Sequence, residues 1–247
     1  MKTNLFTILI PIVLSFSHPG KAQQKRPSEV LDLKNWKLNV PEDVKTPGRS
    51  DEYKQPELNT YSSVWFHTDS LPDAVVFKAN TGGVTTTGSG YPRSELREMT
   101  SEGKKNASWS SSEGTHTLYI DQSISHLPDR KPHIVVGQIH DADDDVIVFR
   151  LEGKKLFIKM GDEKGPLLED NYRLSTRFNV MFRVHDNQTE CYYNNKLIYT
   201  YPKAFTNAYF KAGAYVQSSC KGKRKVEGEL CEAYGEVKIY EVWTKHE

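Results

Sequence analysis

The sequence predicts an all-β protein in which two antiparallel sheets pack face to face, as a jelly-roll β-sandwich or a related architecture. Short runs rich in Val, Ile, Phe, Tyr and Thr recur between clusters of Gly, Pro, Asn and Asp. This pattern is typical of antiparallel strands joined by turns. Helical periodicity is nearly absent. A chain of 247 residues suits one such domain better than two.

Ten segments are predicted to be strands of this domain. They are AVVFKA (74–79), SELREM (94–99), THTLYID (115–121), HIVVGQIH (133–140), DVIVFRLEG (145–153), LFIKMG (156–161), NVMFRVHD (179–186), ECYYNNKLIYTY (190–201), AYFKAGAYVQ (208–217) and GEVKIYEVWT (235–244). About ten strands in one domain favour two packed sheets.

Three of these strands carry polar side chains on one face, because residues two apart point the same way. In the strand 208–217, the polar face comprises Tyr209, Lys211, Gly213, Tyr215 and Gln217, and the apolar face comprises Phe210, Ala212, Ala214 and Val216. The same rule groups Arg93 with Glu95 and Arg97, and Gln138 with His140. A plain solvated face is the alternative for any one strand. Together, these residue types suit the binding of carboxylates and hydroxyls.

The first 22 residues predict a secretory signal peptide cleaved near Ala22, with Lys2 before an apolar stretch that is short for a membrane span. The domain would then cover residues 23–247, and we expect a secreted protein, extracellular or periplasmic. A retained N-terminal anchor is the alternative. The full chain has a formal net charge of +1, and loss of Lys2 and Lys21 would leave about −1. This balance argues against nucleic-acid binding.

Three cysteines in an exported chain favour one disulfide, and the short separation of Cys220 and Cys231 makes them the expected pair. Cys191 is then predicted to be a buried free thiol, although spacing alone leaves other pairings open. We expect no metal and no cofactor. No histidine cluster accompanies the cysteines, and DADDD (141–145) lacks the glycine and distal glutamate of a calcium loop.

Three motifs resemble alginate lyases of polysaccharide lyase family 7 and occur in that family's order. They are YPRSELRE (91–98), QIH (138–140) and YFKAGAYVQ (209–217). The segments LDLKNWKLNVP (31–41) and GGVTTTGSGYPRSELRE (82–98) extend the resemblance over essentially the whole mature chain. It implies a jelly roll whose concave sheet forms a cleft for an acidic polysaccharide.

By motif position, the resemblance implies that four residues are catalytic, and that others bind substrate or support the site. The catalytic set is Arg93, Gln138, His140 and Tyr215. The second set is Glu95, Arg97, Tyr209, Lys211 and Gln217. The other histidines considered, His116, His126, His133 and His185, have no such context and are expected to be structural or superficial.

The chemistry of uronates explains why such residues are needed. Removal of the C5 proton pushes charge onto the adjacent carboxylate, so Arg93 and Gln138 would stabilise that charge where it forms. His140 suits the base, because an ordinary histidine with a pKa of about 6.5 is largely neutral at neutral pH. Tyr215 suits the acid that protonates the O4 leaving group. On mannuronate, whose C5 proton lies on the leaving-group side, Tyr215 could serve in both roles.

The expected function is therefore a β-eliminating alginate lyase that cleaves internal bonds of the polysaccharide, in guluronate-containing blocks. We expect the protein to be a monomer. A glycoside hydrolase would need two facing carboxylates, and the sequence offers no such pair. A lyase for another polyuronate, such as glucuronan, and a non-catalytic carbohydrate-binding sandwich remain the alternatives.

Overall fold

The computed structural model describes residues 25–70 and 73–247, and the predicted signal peptide lies outside these ranges. In chain order the strands are β1 (Trp36–Val40), β2 (Asp51–Tyr53), β3 (Phe66–Ser70), β4 (Asp73–Asn80), β5 (Arg93–Thr100), β6 (Lys105–Asn106), β7 (His116–His126), β8 (His133–His140), β9 (Asp145–Glu152), β10 (Lys155–Met160), β11 (Glu163–Glu169), β12 (Arg177–His185), β13 (Gln188–Tyr193), β14 (Lys196–Tyr201), β15 (Tyr209–Val216) and β16 (Tyr234–His246). The helices in these ranges are 3-10 turns, Pro27–Glu29, Glu57–Asn59 and Gly222–Arg224, none of which could span a bilayer.

The strands form two antiparallel sheets, which confirms the predicted jelly-roll sandwich. The nine-stranded sheet has the order β11-β10-β9-β8-β15-β5-β1-β2, with β6 also paired to β5. The seven-stranded sheet has the order β14-β13-β12-β7-β16-β4-β3. Strands β8 to β11 and β12 to β14 follow one another both along the chain and within their sheets, whereas β15 lies between β8 and β5, and β16 lies between β7 and β4.

The core lies between the sheets and is built from the apolar face of each strand. Phe149 on β9 and Phe182 on β12 stack across the interface at 4.3 Å between ring centroids. Burying one such side chain contributes roughly 1.5–3 kcal/mol. The predicted apolar face of β15 is fully buried: Phe210, Ala212, Ala214 and Val216. Their burial leaves the polar face of β15 free to line a site.

All ten predicted segments contain strands, but one segment that was predicted as a single strand contains two. Segment 190–201 is a hairpin of β13 and β14, because Asn194 and Asn195 adopt positive φ angles of 48° and 62°. Two consecutive residues of this kind form the tight turn that matches strand twist. The sequence prediction missed five short or polar strands: β1, β2, β3, β6 and β11.

One buried carboxylate on β5 links the two sheets. Glu98 accepts hydrogen bonds from His246 Nε2 on β16 (2.6 Å), from Trp109 Nε1 (3.0 Å) and from the Phe210 backbone N–H at the start of β15 (3.0 Å). His116 completes the cluster through His246, Nδ1 to Nδ1 at 2.7 Å. This agrees with its predicted structural role, and the cluster fixes β5 against β15.

Candidate active site

The predicted site residues come together on three neighbouring strands of the nine-stranded sheet, β8, β15 and β5. Lys211 on β15 lies opposite Gln138 on β8 and opposite Arg97 on β5. Tyr209 lies opposite His140, and Tyr215 lies opposite Arg93. The alternation inferred from sequence therefore places these side chains on one face, turned away from the core.

This face forms the floor of a polar cleft. One part has a volume of about 360 Å³ and is lined by six of the predicted residues: Arg93, Arg97, His140, Tyr209, Lys211 and Tyr215. Asn39, Ser89 and the loop segments 86–88 and 142–144 complete its lining. An adjoining part, of about 380 Å³, is lined by Gln138, Tyr215 and Gln217. The two parts share Tyr215, Ser89 and Gly88, so they form one continuous groove.

Glu95 lies beneath this floor, 1% exposed, and binds three of the residues above it. Its Oε2 accepts from Arg93 Nη1 at 2.9 Å and from Lys211 Nζ at 2.6 Å, and its Oε1 accepts from Gln138 Nε2 at 2.5 Å. Both oxygens are thus occupied, so Glu95 holds the donors in place. The guanidinium keeps further N–H groups, including a buried Nε without a partner among the described residues.

Gly213 lets β15 pass close to this carboxylate. The residue has a φ of 139°, and a Cβ there would lie 2.5 Å from the Ser94 carbonyl oxygen and 2.9 Å from Glu95 Cα. The register of β15 against β8 shifts between Lys211 and Tyr215. Only glycine avoids the clash at this irregularity.

The charges in the cluster shift one another's titration. Burial opposes ionisation of Glu95, yet the charges of Lys211 and Arg93 outweigh it and lower the pKa of that carboxyl. Burial and the neighbouring Arg93 charge lower the pKa of Lys211 to about 8. Around neutral pH, the cluster therefore holds an ionised carboxylate and two cations.

One ring nitrogen of His140 has no hydrogen-bond partner within residues 25–70 and 73–247, which leaves it available for proton transfer. Its Nδ1 lies 2.7 Å from the Asp141 carbonyl oxygen, which can only accept, so Nδ1 carries the proton and Nε2 the lone pair. The ring stacks on Tyr209 at 5.2 Å with an interplanar angle of 17°. Burial, more than the nearby Lys211 charge, lowers the pKa of His140, so the neutral form is favoured.

Tyr215 presents its hydroxyl in the cleft beside Arg93. The Arg93 guanidinium carbon lies 3.7 Å from the centroid of the Tyr215 ring. The Tyr215 hydroxyl lies 3.1 Å from Ser89 Oγ, which also accepts from Arg93 Nη2 at 3.0 Å. The hydroxyl is thus held in position by Ser89, and Tyr215 lines the same cleft as His140.

Two further predicted residues are held by partners that the sequence did not indicate. Arg97 stacks on Tyr209 at 3.8 Å and donates to the Glu98 carbonyl oxygen at 2.9 Å, so Glu95 orients Arg93 but does not bond Arg97. Gln217 Oε1 accepts from Arg150 Nη1 at 3.0 Å. Its Nε2 is buried without a partner among the described residues, so a donor remains for a ligand.

Sequence reasoning missed Ser89, Asn39 and Arg150. Ser89 lies in the segment 82–98, but it precedes β5 in a loop, where strand alternation says nothing. The available signal was its closeness in sequence to Arg93, four residues later, which keeps the serine near the site. Asn39 lies on β1, which was not predicted, and pairs with Glu95 across the strands.

The predicted disulfide between Cys220 and Cys231 is present, with the Cα atoms 5.1 Å apart. Cys191 is free and buried, and burial raises the pKa of its thiol. Residues 141–145 form a tight turn in which Asp141 Oδ1 accepts from the backbone N–H groups of Asp143 and Asp144. This turn connects β8 to β9.

Comparison with known proteins identifies similar alginate lyases. The family model described as alginate lyase matches residues 31–246. The solved structure of alginate lyase AlgAT5 from polysaccharide lyase family 7 is 48% identical, with a TM-score of 0.85, covering 90% of this chain and 99% of that one. The alginate lyase from Corynebacterium sp. is 42% identical, with a TM-score of 0.84, covering 92% and 100%.

A curated alginate lyase from Klebsiella pneumoniae is 29% identical over 175 residues, which cover 60% of this chain and 56% of that protein. The match thus spans little more than half the length of this relative.

Fold and cleft define a jelly-roll polysaccharide lyase. The family model covers most of the chain, and the chain therefore belongs to the alginate lyases of polysaccharide lyase family 7.

Proposed function

We propose that this protein cleaves alginate by β-elimination at internal bonds of the polysaccharide, in guluronate-containing blocks. The observation that carries the proposal is one cleft holding a histidine with a free Nε2, a tyrosine hydroxyl and cations around a buried carboxylate: His140, Tyr215, Arg93 and Lys211. These are the groups that elimination requires, namely a base, an acid and a counter-charge.

The cations would bind the uronate carboxylate at the cleaved bond. Removal of the C5 proton delocalises a second negative charge onto this carboxylate, so fixed donors lower the barrier. Arg93 and Gln138 each bond Glu95 with one N–H and keep others for substrate. Because Glu95 already orients them, little reorganisation accompanies the reaction.

His140 would take the C5 proton through Nε2, and Tyr215 would donate its proton to O4 as the bond breaks. A base must be neutral and an acid protonated before the step. The lowered pKa of His140 satisfies the first condition at neutral pH. The product then carries a double bond conjugated with its carboxyl group.

The guluronate preference rests on the resemblance, in which isoleucine within the QxH motif accompanies guluronate acceptance. Ile139 is fully buried on the core side of β8. Its influence on substrate choice would therefore be indirect, through the placement of its neighbours Gln138 and His140.

The assay that tests this function follows ultraviolet absorbance and product size with polyguluronate, polymannuronate and glucuronan. We expect absorbance to rise on guluronate-containing alginate, with mixed oligomers early in the reaction. New reducing ends without absorbance would indicate hydrolysis instead. Activity on glucuronan alone, or binding without products, would favour the alternative lyase or a binding module.

The pH dependence of kcat/KM should be bell-shaped, with unusual limits on both sides. His140 must be neutral, and its lowered pKa places the acid limb below the ordinary histidine value of about 6.5. Lys211 must be charged, so the alkaline limb should lie near its pKa of about 8. Lys211→Arg keeps the charge at high pH and should move only the alkaline limb upwards. An unmoved alkaline limb would remove Lys211 from this role.

We also propose that the protein is secreted. The predicted signal peptide supports this, as does the disulfide Cys220–Cys231, because disulfides persist in oxidising compartments. Detection of the cleaved protein outside the cytoplasm of its own cells would test the proposal.

A further inference from the structure

The disulfide-bonded loop 218–232 is fastened beside one end of the cleft. The Cys220 backbone N–H donates to the Thr81 carbonyl oxygen at 3.2 Å, and the Gly82 N–H donates to the Cys231 carbonyl oxygen at 2.9 Å. Both ends of the loop are thus tied to residues 81–82, where the segment leading to Tyr91 and Arg93 begins. The loop has a fixed position relative to the cleft.

This loop places Arg224 in the groove. A Cβ at Gly90 would lie 2.5 Å from Arg224 Cγ, so the absence of a side chain there admits the arginine. The Arg224 guanidinium carbon lies 5.9 Å from the Tyr91 ring centroid. Arg224 lines the same part of the groove as Tyr215 and Gln217, and it forms no ion pair within residues 25–70 and 73–247.

The same loop also holds a second cation, Lys131. Glu229 accepts hydrogen bonds from the Lys131 backbone N–H at 3.1 Å and from Ser218 Oγ at 2.6 Å, which fixes the backbone before β8. Lys131 Nζ donates to the Tyr91 hydroxyl at 2.9 Å. Lys131, too, has no acidic partner in the described part of the chain, and it lines the groove.

Tyr91 joins these two cations to the reacting end of the cleft. It contacts Tyr215 edge to face, at 6.4 Å between centroids. We propose that Arg224 and Lys131 form a carboxylate-binding site beside Tyr91 for a uronate outside the pair whose bond is cleaved. The inference rests on the proposed function. Asp144, Asp145 and Asp162 line the same part of the groove, but none of them pairs with either cation, so Arg224 and Lys131 stay available to a substrate carboxylate and leave the chemical step to other residues.

The test is the double variant Arg224→Gln with Lys131→Gln, assayed on long alginate and on the shortest oligomer that the wild type cleaves. We expect KM for the polymer to rise about 5- to 30-fold, with kcat unchanged. KM for the shortest oligomer should change less than about 2-fold if it does not reach this site, as for loss of a surface contact. Equal changes on both substrates, or no change, would overturn the proposal.

A matched control removes the same charges elsewhere. Arg173 and Lys196 are exposed cations away from the cleft, and Arg173→Gln with Lys196→Gln should leave both KM values unchanged. Arg224→Lys with Lys131→Arg keeps both charges and should retain most of the polymer affinity. If the wild type gives no unsaturated products, retardation in an alginate-containing gel provides a separate readout. Equal retardation of the wild type and the Gln variant would then refute the site.

Discussion

Tyr215→Phe should lower kcat on alginate by about 10²- to 10⁴-fold while leaving KM close to that of the wild type. The substitution keeps the ring on which the Arg93 guanidinium stacks at 3.7 Å, so the cation should stay in place. It removes the hydroxyl that we propose protonates O4, together with its contact to Ser89. The measurement is steady-state elimination followed by absorbance.

The seven-stranded sheet offers a close match for the control. Tyr240 also has an arginine over its ring, Arg177 at 4.1 Å, and a serine at its hydroxyl, Ser123 Oγ at 3.1 Å. Tyr240→Phe therefore deletes the same group from similar surroundings and should leave kcat unchanged. A Tyr215→Phe protein that works within a few-fold of wild type would mean that Tyr215 only packs against its neighbours.

His140→Ala should be comparably damaging on guluronate blocks, again by about 10²- to 10⁴-fold in kcat, because the proposed base is lost. Loss on mannuronate should be smaller if Tyr215 serves there as both base and acid. The comparison uses polyguluronate and polymannuronate under the same conditions. An equal loss on both substrates would assign the base on mannuronate to His140 as well.

His126 supplies the control for this change. Its Nδ1 lies 2.9 Å from the Tyr234 carbonyl oxygen, and its ring stacks on Tyr234 at 3.9 Å. It thus reproduces the carbonyl contact and the tyrosine stack of His140, on the other sheet. His126→Ala should leave the activities on polyguluronate and polymannuronate intact. A marked loss of activity in His126→Ala would show that the effect of His140→Ala arises from lost packing.

The strands that position the site were predictable because strand alternation is a local property. The bounds of β8 were predicted to the residue, and the buried set on β15 followed from its alternating pattern. Alternation also placed His140 and Tyr215 on faces that the sheet then aligned. The pairing of β15 with both β8 and β5 could not be read from sequence, since it joins segments far apart in the chain.

The missed features depend on contacts that are not local. β2 has three residues and takes its form from pairing with β1, and β11 contains a glycine and a proline among only seven residues. Ser89 and Arg224 reach the cleft from loops, whose paths are set by tertiary packing. Motif positions likewise gave no sign that Glu95 bonds Lys211, because that contact crosses from β5 to β15.

The buried carboxylate of Glu95 has a practical consequence for enzyme assays. Arg93 and Lys211 together exceed its single negative charge, so this three-residue cluster has an excess of positive charge that a substrate carboxylate would neutralise. Small oxyanions such as sulfate or phosphate also carry negative charge and should bind to the same cluster. Buffers containing them should therefore act as competitive inhibitors, and apparent affinities for alginate will depend on the buffer anion.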